Sequence, residues 1–166
     1  MIKHFDFCVN DKQGWYRDII RQYPKTTHVH GFGDKIPKEW KQVYKTYYSW
    51  RILRQRYDKK GNIIPERTEI LLSMTWDEAS VFPNLAKSIE YIVETGEDAL
   101  LRPLGQPGGE WKISKNIFRR ECYDFEVFDN YYNTGYRFTL TPEQLTDFCK
   151  WLDMVNDYAL SRGEPA

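Results

Sequence analysis

Cysteine is scarce and poorly placed for chemistry: Cys8, Cys122 and Cys149 are odd in number, far apart and never in CxxC spacing. That pattern excludes a disulfide framework, a zinc knuckle and a dithiol redox site, and three thiols with apolar neighbours read as buried and free. No apolar run approaches the roughly 18 residues of a membrane span. Met1 to Val9 mixes Lys3, His4 and Asp6 with aromatics, so it holds neither a signal-peptide core nor a transit segment. The expectation is a soluble, cytoplasmic protein. Net charge is lacking too, since 24 Lys and Arg match 24 Asp and Glu, and no whole-molecule field attracts or repels a polyanion. Neither GxSxG, GxxxxGK[ST] nor GxGxxG occurs, which removes the usual nucleophile elbow and phosphate loops. No internal repeat or low-complexity tract stands out.

What the chain does have is aromatic residues, 16% of the total, enough to exclude a disordered chain and to fill one core at this length. The expectation is one α+β domain over residues 1–166. Met1 to Val9 reads as a strand. From Lys12 to Tyr23 the positions Trp15, Tyr16, Ile19, Ile20 and Tyr23 recur at helical spacing up to Pro24. Lys25 to Ile36 reads as a loop, and Pro37 opens a short helix faced by Trp40, Val43, Tyr44 and Tyr47. Tyr48 to Tyr57 and Pro65 to Trp76 flank Asp58-Lys59-Lys60-Gly61-Asn62, a hairpin signature.

Asp77 or Ser80 can cap a third helix in which Leu85, Ile89, Ile92 and Val93 recur before Gly96. Arg102 to Gly109 is a Pro/Gly surface turn. Trp111 to Phe118 reads as extended. Tyr123 to Phe128 and Tyr136 to Leu140 alternate apolar and polar residues as a second hairpin around Asn130 to Gly135. Thr141-Pro142-Glu143-Gln144 is a capping box, and Leu145, Phe148, Cys149, Leu152, Val155 and Ala159 stripe a helix to about Arg162. The fold class expected is therefore α+β: a mainly antiparallel sheet of two hairpins plus an N-terminal strand, covered by three to four helices including an amphipathic C-terminal one.

Three surfaces invite function. Between residues 121 and 166, nine acidic side chains stand against three basic ones. If helix and strand lie side by side, Asp124, Glu126, Asp147, Asp153 and Asp157 form a carboxylate face. Tyr131, Tyr132 and Trp151 would be its anchors, suited to a cationic protein such as a nuclease or a nucleic-acid-handling complex. The hairpin cations Arg51, Arg54, Arg56, Lys59, Lys60 and Arg67, interleaved with Tyr and Trp, suit a nucleic-acid strand, and Arg119 and Arg120 could extend them. The same charges also serve to keep an edge strand from pairing. His28 and His30, one residue apart, can share a metal with His4, Asp6 or Asp34.

The reading favoured by these features is a protein-binding module that occupies another macromolecule, of the general type of immunity proteins and phage-encoded inhibitors of host defence. It needs no catalytic residue and no cofactor, and it leaves homo-oligomers open. The alternatives are a metal-assisted hydrolase or transferase at His28 and His30, and a nucleic-acid-binding protein using the Arg-rich hairpin.

Overall fold

The chain follows one order twice, four strands and then a helix. The computed structural model describes residues 4–12, 14–29, 43–78, 81–101, 109–129 and 134–163. Strands β1 (Phe5–Lys12), β2 (Tyr16–Val29), β3 (Val43–Tyr57) and β4 (Ile63–Glu78) precede helix α1 (Val81–Thr95). Strands β5 (Ala99–Leu101), β6 (Gly109–Lys115), β7 (Tyr123–Asp129) and β8 (Thr134–Leu140) precede α2 (Pro142–Gly163). Each set of strands forms its own antiparallel sheet in chain order, β1-β2-β3-β4 and β5-β6-β7-β8.

This architecture corrects the single helix-covered sheet expected from the sequence: there are two sheets, and the described residues hold two helices rather than three or four. Of the segment from Lys12 to Tyr23, expected as a helix, Lys12 closes β1, Gly14 and Trp15 form a turn, and Tyr16 to Tyr23 start β2. Ile19 and Ile20 are both buried, and so are Asp18 and Gln22, so burial on both faces of the strand erases the period-two pattern and leaves an accidental helical one. Its Tyr and Ile content favours a strand in any case. Lys25 to Val29, expected as loop, continues β2, and Val43 to Tyr47, expected as helix, opens β3. Trp40 and the glycines at 31 and 33 lie outside the described residues. The element order also repeats although the sequence does not.

Other expectations hold. Gly61, at φ 82°, turns the β3–β4 hairpin, and Asp58 Oδ1 accepts the Lys60 and Asn62 amides at 2.8 and 2.9 Å. Gly96 closes α1 at φ 75°, its amide donating to the Ile92 carbonyl at 2.8 Å, a left-handed stop. At the head of α2 the capping box closes both ways: the Thr141 amide donates to Gln144 Oε1 at 3.0 Å, and the Gln144 amide to Thr141 Oγ1 at 3.3 Å.

One hydrophobic cluster joins the two halves. Trp50 of β3 meets Trp111 of β6 edge-on, ring centroids 5.0 Å apart, and α2 wedges in beside them. Phe148 touches Phe7 of β1 on one side and Phe125 of β7 on the other, at 5.0 and 5.5 Å.

A polar joint reinforces it. Asp18, fully buried in β2, accepts two hydrogen bonds from Arg54 of β3, Nε to Oδ1 at 2.8 Å and Nη2 to Oδ2 at 3.0 Å. Tyr136 of β8 donates to Asp18 Oδ2 at 2.6 Å, from the other sheet. A carboxylate without solvent needs all three donations to be tolerated. Burial, and then the bond to Asp18, push the Tyr136 phenol well above its ordinary range.

Arg54→Ala leaves that carboxylate uncompensated, and urea unfolding of this variant is expected to show a loss of about 3 kcal/mol or more. Tyr136→Phe should lose about 2 kcal/mol. Because the folded phenol titrates higher than the unfolded one, its contribution is complete below about pH 10 and declines above it. The stability gap between wild type and Tyr136→Phe should therefore be flat through neutrality and narrow on the alkaline side.

Candidate nucleic-acid interface

Sheet residues that pair across strands share a face, and positions two apart along one strand share it as well. Tyr16 pairs with Arg56 and Asp18 with Arg54, so all four lie on the face of the first sheet that also carries Ile20 and Ile52. The core ends at Asp18. Beyond it, Tyr16 takes the Arg54 guanidinium at 4.0 Å from its ring centroid, with Arg56 at 5.4 Å and Lys12 Nζ at 5.5 Å. Arg54 is held there by Asp18, whose hydrogen bonds drive its pKa further above the arginine range, and Arg56 is held by Glu69 at 2.8 Å.

Next to Tyr16 stands Trp15, 73% exposed. Its backbone is fixed on both sides: its amide donates to the Lys12 carbonyl at 3.2 Å, and its carbonyl accepts the Tyr57 amide at 3.1 Å. Gly14, at φ 86°, allows the turn. This turn therefore lies beside the end of β3 and the β3–β4 turn, where Lys59 and Lys60 project while Asp58 is committed to the backbone. Lys12, Lys59 and Lys60 are exposed and make no ion pair among the described residues. An exposed indole, a phenol ringed by Arg54, Arg56 and Lys12, and the exposed ammoniums of Lys59 and Lys60 thus share one end of the sheet.

The hairpin cations expected from the sequence are divided by this geometry. Arg54, Arg56, Lys59 and Lys60 gather at the Trp15 end. Arg51 points from the opposite face, its guanidinium 5.4 Å from the Tyr23 ring, near the Arg21–Asp6 ion pair. Arg67 is exposed on β4. Arg119 and Arg120 follow β6, beyond Leu140, the position four residues from Tyr136 and about 13 Å along β8. Sequence reasoning missed Lys12, Trp15 and Tyr16 because the helical reading absorbed them; the signal was Gly14, whose positive φ turns the chain between β1 and β2.

The acidic face does not come together. Asp124 and Glu126 alternate with the buried Phe125 and Val127 and so point off the far side of the second sheet, whereas Asp147, Asp153 and Asp157 lie on the exposed side of α2. Asp124 Oδ1 is engaged by Asn116 and Thr139 at 2.8 and 2.7 Å. Trp151, expected as an exposed anchor, is only 7% exposed and packs on Phe7 and Phe148. Tyr131 and Tyr132 lie outside the described residues.

The metal site fares similarly. His30 and Asp34 lie outside the described residues, and Asp6 is taken by Arg21 at 2.7 Å. His4 packs beside Tyr23, five positions and about 17 Å along β2 from His28. No cluster of three metal-ligating side chains occurs among the described residues. The thiols are poorly set for nucleophilic attack: Cys122 is buried, Cys8, exposed contrary to expectation, is pushed up by burial first and by Asp11 after it, and Cys149 is pushed up to about 11 by burial first and by Asp153 and Glu90 after it. No helix among the described residues is long and apolar enough to cross a membrane.

No family model matches the chain, and no curated protein matches it. Among solved structures, the plant transcriptional regulator PBF-2 aligns with a TM-score of 0.43 at 9% identity, over 96% of this chain and 84% of that one. WHY3 from Arabidopsis thaliana aligns at 0.41 and 8%, over 94% and 88%. WHY1 from the same plant aligns at 0.38 and 9%, over 94% and 92%. Values of this size decide neither kinship nor activity.

The burial of Trp151 separates two outcomes. Trp151→Ala should cost about 3–5 kcal/mol in thermal or urea unfolding, as a core deletion does. The double variant Asp153→Lys, Asp157→Lys should stay within about 0.5 kcal/mol of wild type.

Proposed function

We propose that the chain binds single-stranded nucleic acid at the basic, aromatic end of its first sheet. The observation that carries this reading is Trp15, an indole left in solvent on a turn that is hydrogen-bonded on both sides, beside Tyr16 and its ring of cations. Leaving a large apolar ring in water gains nothing for folding. Fixing its backbone lowers the entropy lost when a planar partner stacks on it.

Bases of a single strand present both faces for such stacking, while those of a duplex do not. Lys12, Lys59 and Lys60 supply the complementary charge for phosphates, and Arg56 can exchange Glu69 for one. Overall neutrality is no obstacle, because residues 1–120 hold twenty-one basic against fifteen acidic side chains and the first sheet lies wholly within them. The protein-occupying reading has lost its central anchor with the burial of Trp151, and its carboxylates lie on two separate surfaces.

Fluorescence anisotropy with labelled single-stranded DNA and RNA tests the proposal. Affinity should fall with salt at a log–log slope of about −0.7 per phosphate contacted. Trp15→Ala should weaken binding by about 5- to 100-fold with little change in that slope. Lys59→Ala, Lys60→Ala should weaken it and flatten the slope by about one unit or more. Undetectable binding, or binding indifferent to all three substitutions, would reject the site.

A further inference from the structure

A second surface lies at the other end of the second sheet, where residues 116–122 link β6 to β7. Ile117 and Phe118 at its tip are 86% and 89% exposed, and Arg119 and Arg120 follow them. The loop is built, not slack. Asn116 Oδ1 accepts the amides of Phe118 and Arg119 at 2.8 and 2.6 Å, while its Nδ2 donates to Asp124. The Asn116 amide bonds the Cys122 carbonyl at 2.9 Å, and Glu121 takes the left-handed conformation at φ 64°. Two bulky apolar side chains are thus displayed in a fixed conformation.

Beside this loop runs a groove of about 620 Å³ between α1 and α2. Ile89, Val93, Leu145 and Cys149 line its floor, and Val93 is 48% exposed. Glu90, Glu94, Glu121 and Asp153 stand along it against the single cation Lys150. The groove therefore calls for an apolar wedge carrying positive charge, and the loop is such a wedge. It does not fill its own groove, because its tip is solvent-exposed in the single chain. The two surfaces adjoin, since Glu121 and Tyr123 line both the groove and the cavity beside the loop.

We propose that two copies of this chain pair about a two-fold axis, the Ile117–Phe118 tip of each entering the α1–α2 groove of the other, with Arg119 and Arg120 meeting Glu90 and Glu94. A patch that holds both halves of a complementary contact side by side pairs with itself and closes, so the assembly stops at two. The groove's carboxylates disfavour a polyanion as the occupant, and charge matching of this kind sets orientation as well as affinity.

Sedimentation velocity of the full chain, without nucleic acid, reads the result. Wild type should shift from monomer to dimer with concentration, and Phe118→Asp should raise the dissociation constant about 30-fold or more. The double variant Arg119→Glu, Arg120→Glu should be monomeric, as should Glu90→Arg, Glu94→Arg. Mixing those two should restore a dimer, because both joints of the mixed pair are then complementary. All of these side chains are exposed, and circular dichroism confirms that each variant is folded. A wild type that stays monomeric throughout, a dimer that survives Phe118→Asp, or a mixture that fails to pair would each overturn the proposal.

Discussion

Asp18 is a carboxylate buried where two sheets meet, and much of the molecule is arranged to make that possible. Arg54 neutralises it from the neighbouring strand, and Tyr136 reaches it from the second sheet, so one side chain fixes the register of β2 on β3 and the position of β8 against both. Apolar contacts such as Trp50 on Trp111 supply most of the attraction between the halves, but they tolerate sliding. A carboxylate with three directional donors does not. Asp18 thus contributes more to the uniqueness of the packing than to its strength, since a buried ion pair gains little over an apolar replacement.

The same joint leads outward. Strands β2, β3 and β4 are 14, 15 and 16 residues long against 7 in β6, β7 and β8. At about 3.3 Å per residue the first sheet runs roughly 50 Å and the second roughly 23 Å, so the first extends past the shared core. Past Asp18 the face that carries Tyr16 is held by side-chain contacts: Arg54 on Tyr16, Arg56 on Glu69, and nearby the Tyr57 hydroxyl on Asp11 at 3.2 Å. The cations stacked on Tyr16 there are the contacts on which the proposed binding of rings and anions rests.

Legibility in the sequence followed locality. The capping box at Thr141, the Gly96 stop, the alternation of Tyr123 to Phe128 and the Asp58 to Asn62 turn are each specified within a few residues, and each was read correctly. Strand β2 was not, because Asp18 and Gln22 face the core while Ile19 and Ile20 are buried on opposite faces; its pattern depends on partners dozens of residues away. That one misreading concealed half of the candidate site. Arg54, Arg56, Lys59 and Lys60 were visible as a basic hairpin, but Trp15 and Tyr16 were assigned to a buried helical stripe. Trp151 was misjudged in the opposite direction: a tryptophan between acidic residues on a helix looks like an interface anchor until Phe7 is seen to cover it.

The two proposed surfaces stand apart along β8, whose four residues from Tyr136 to Leu140 span about 13 Å. The Trp15 end lies beside Tyr136, whereas the β6–β7 loop lies beyond Leu140 and Tyr123. In the proposed dimer, copies joined through loop and groove would leave both Trp15 ends open. A strand captured at one end would then meet the second at an effective concentration set by the length of strand between them, so two modest sites would act as one stronger site on strands long enough to span them. Short oligonucleotides gain nothing from the pairing. Strand length, rather than sequence, is what the proposed assembly would read, since the surface argued for it offers stacking and charge rather than base-edge hydrogen bonding.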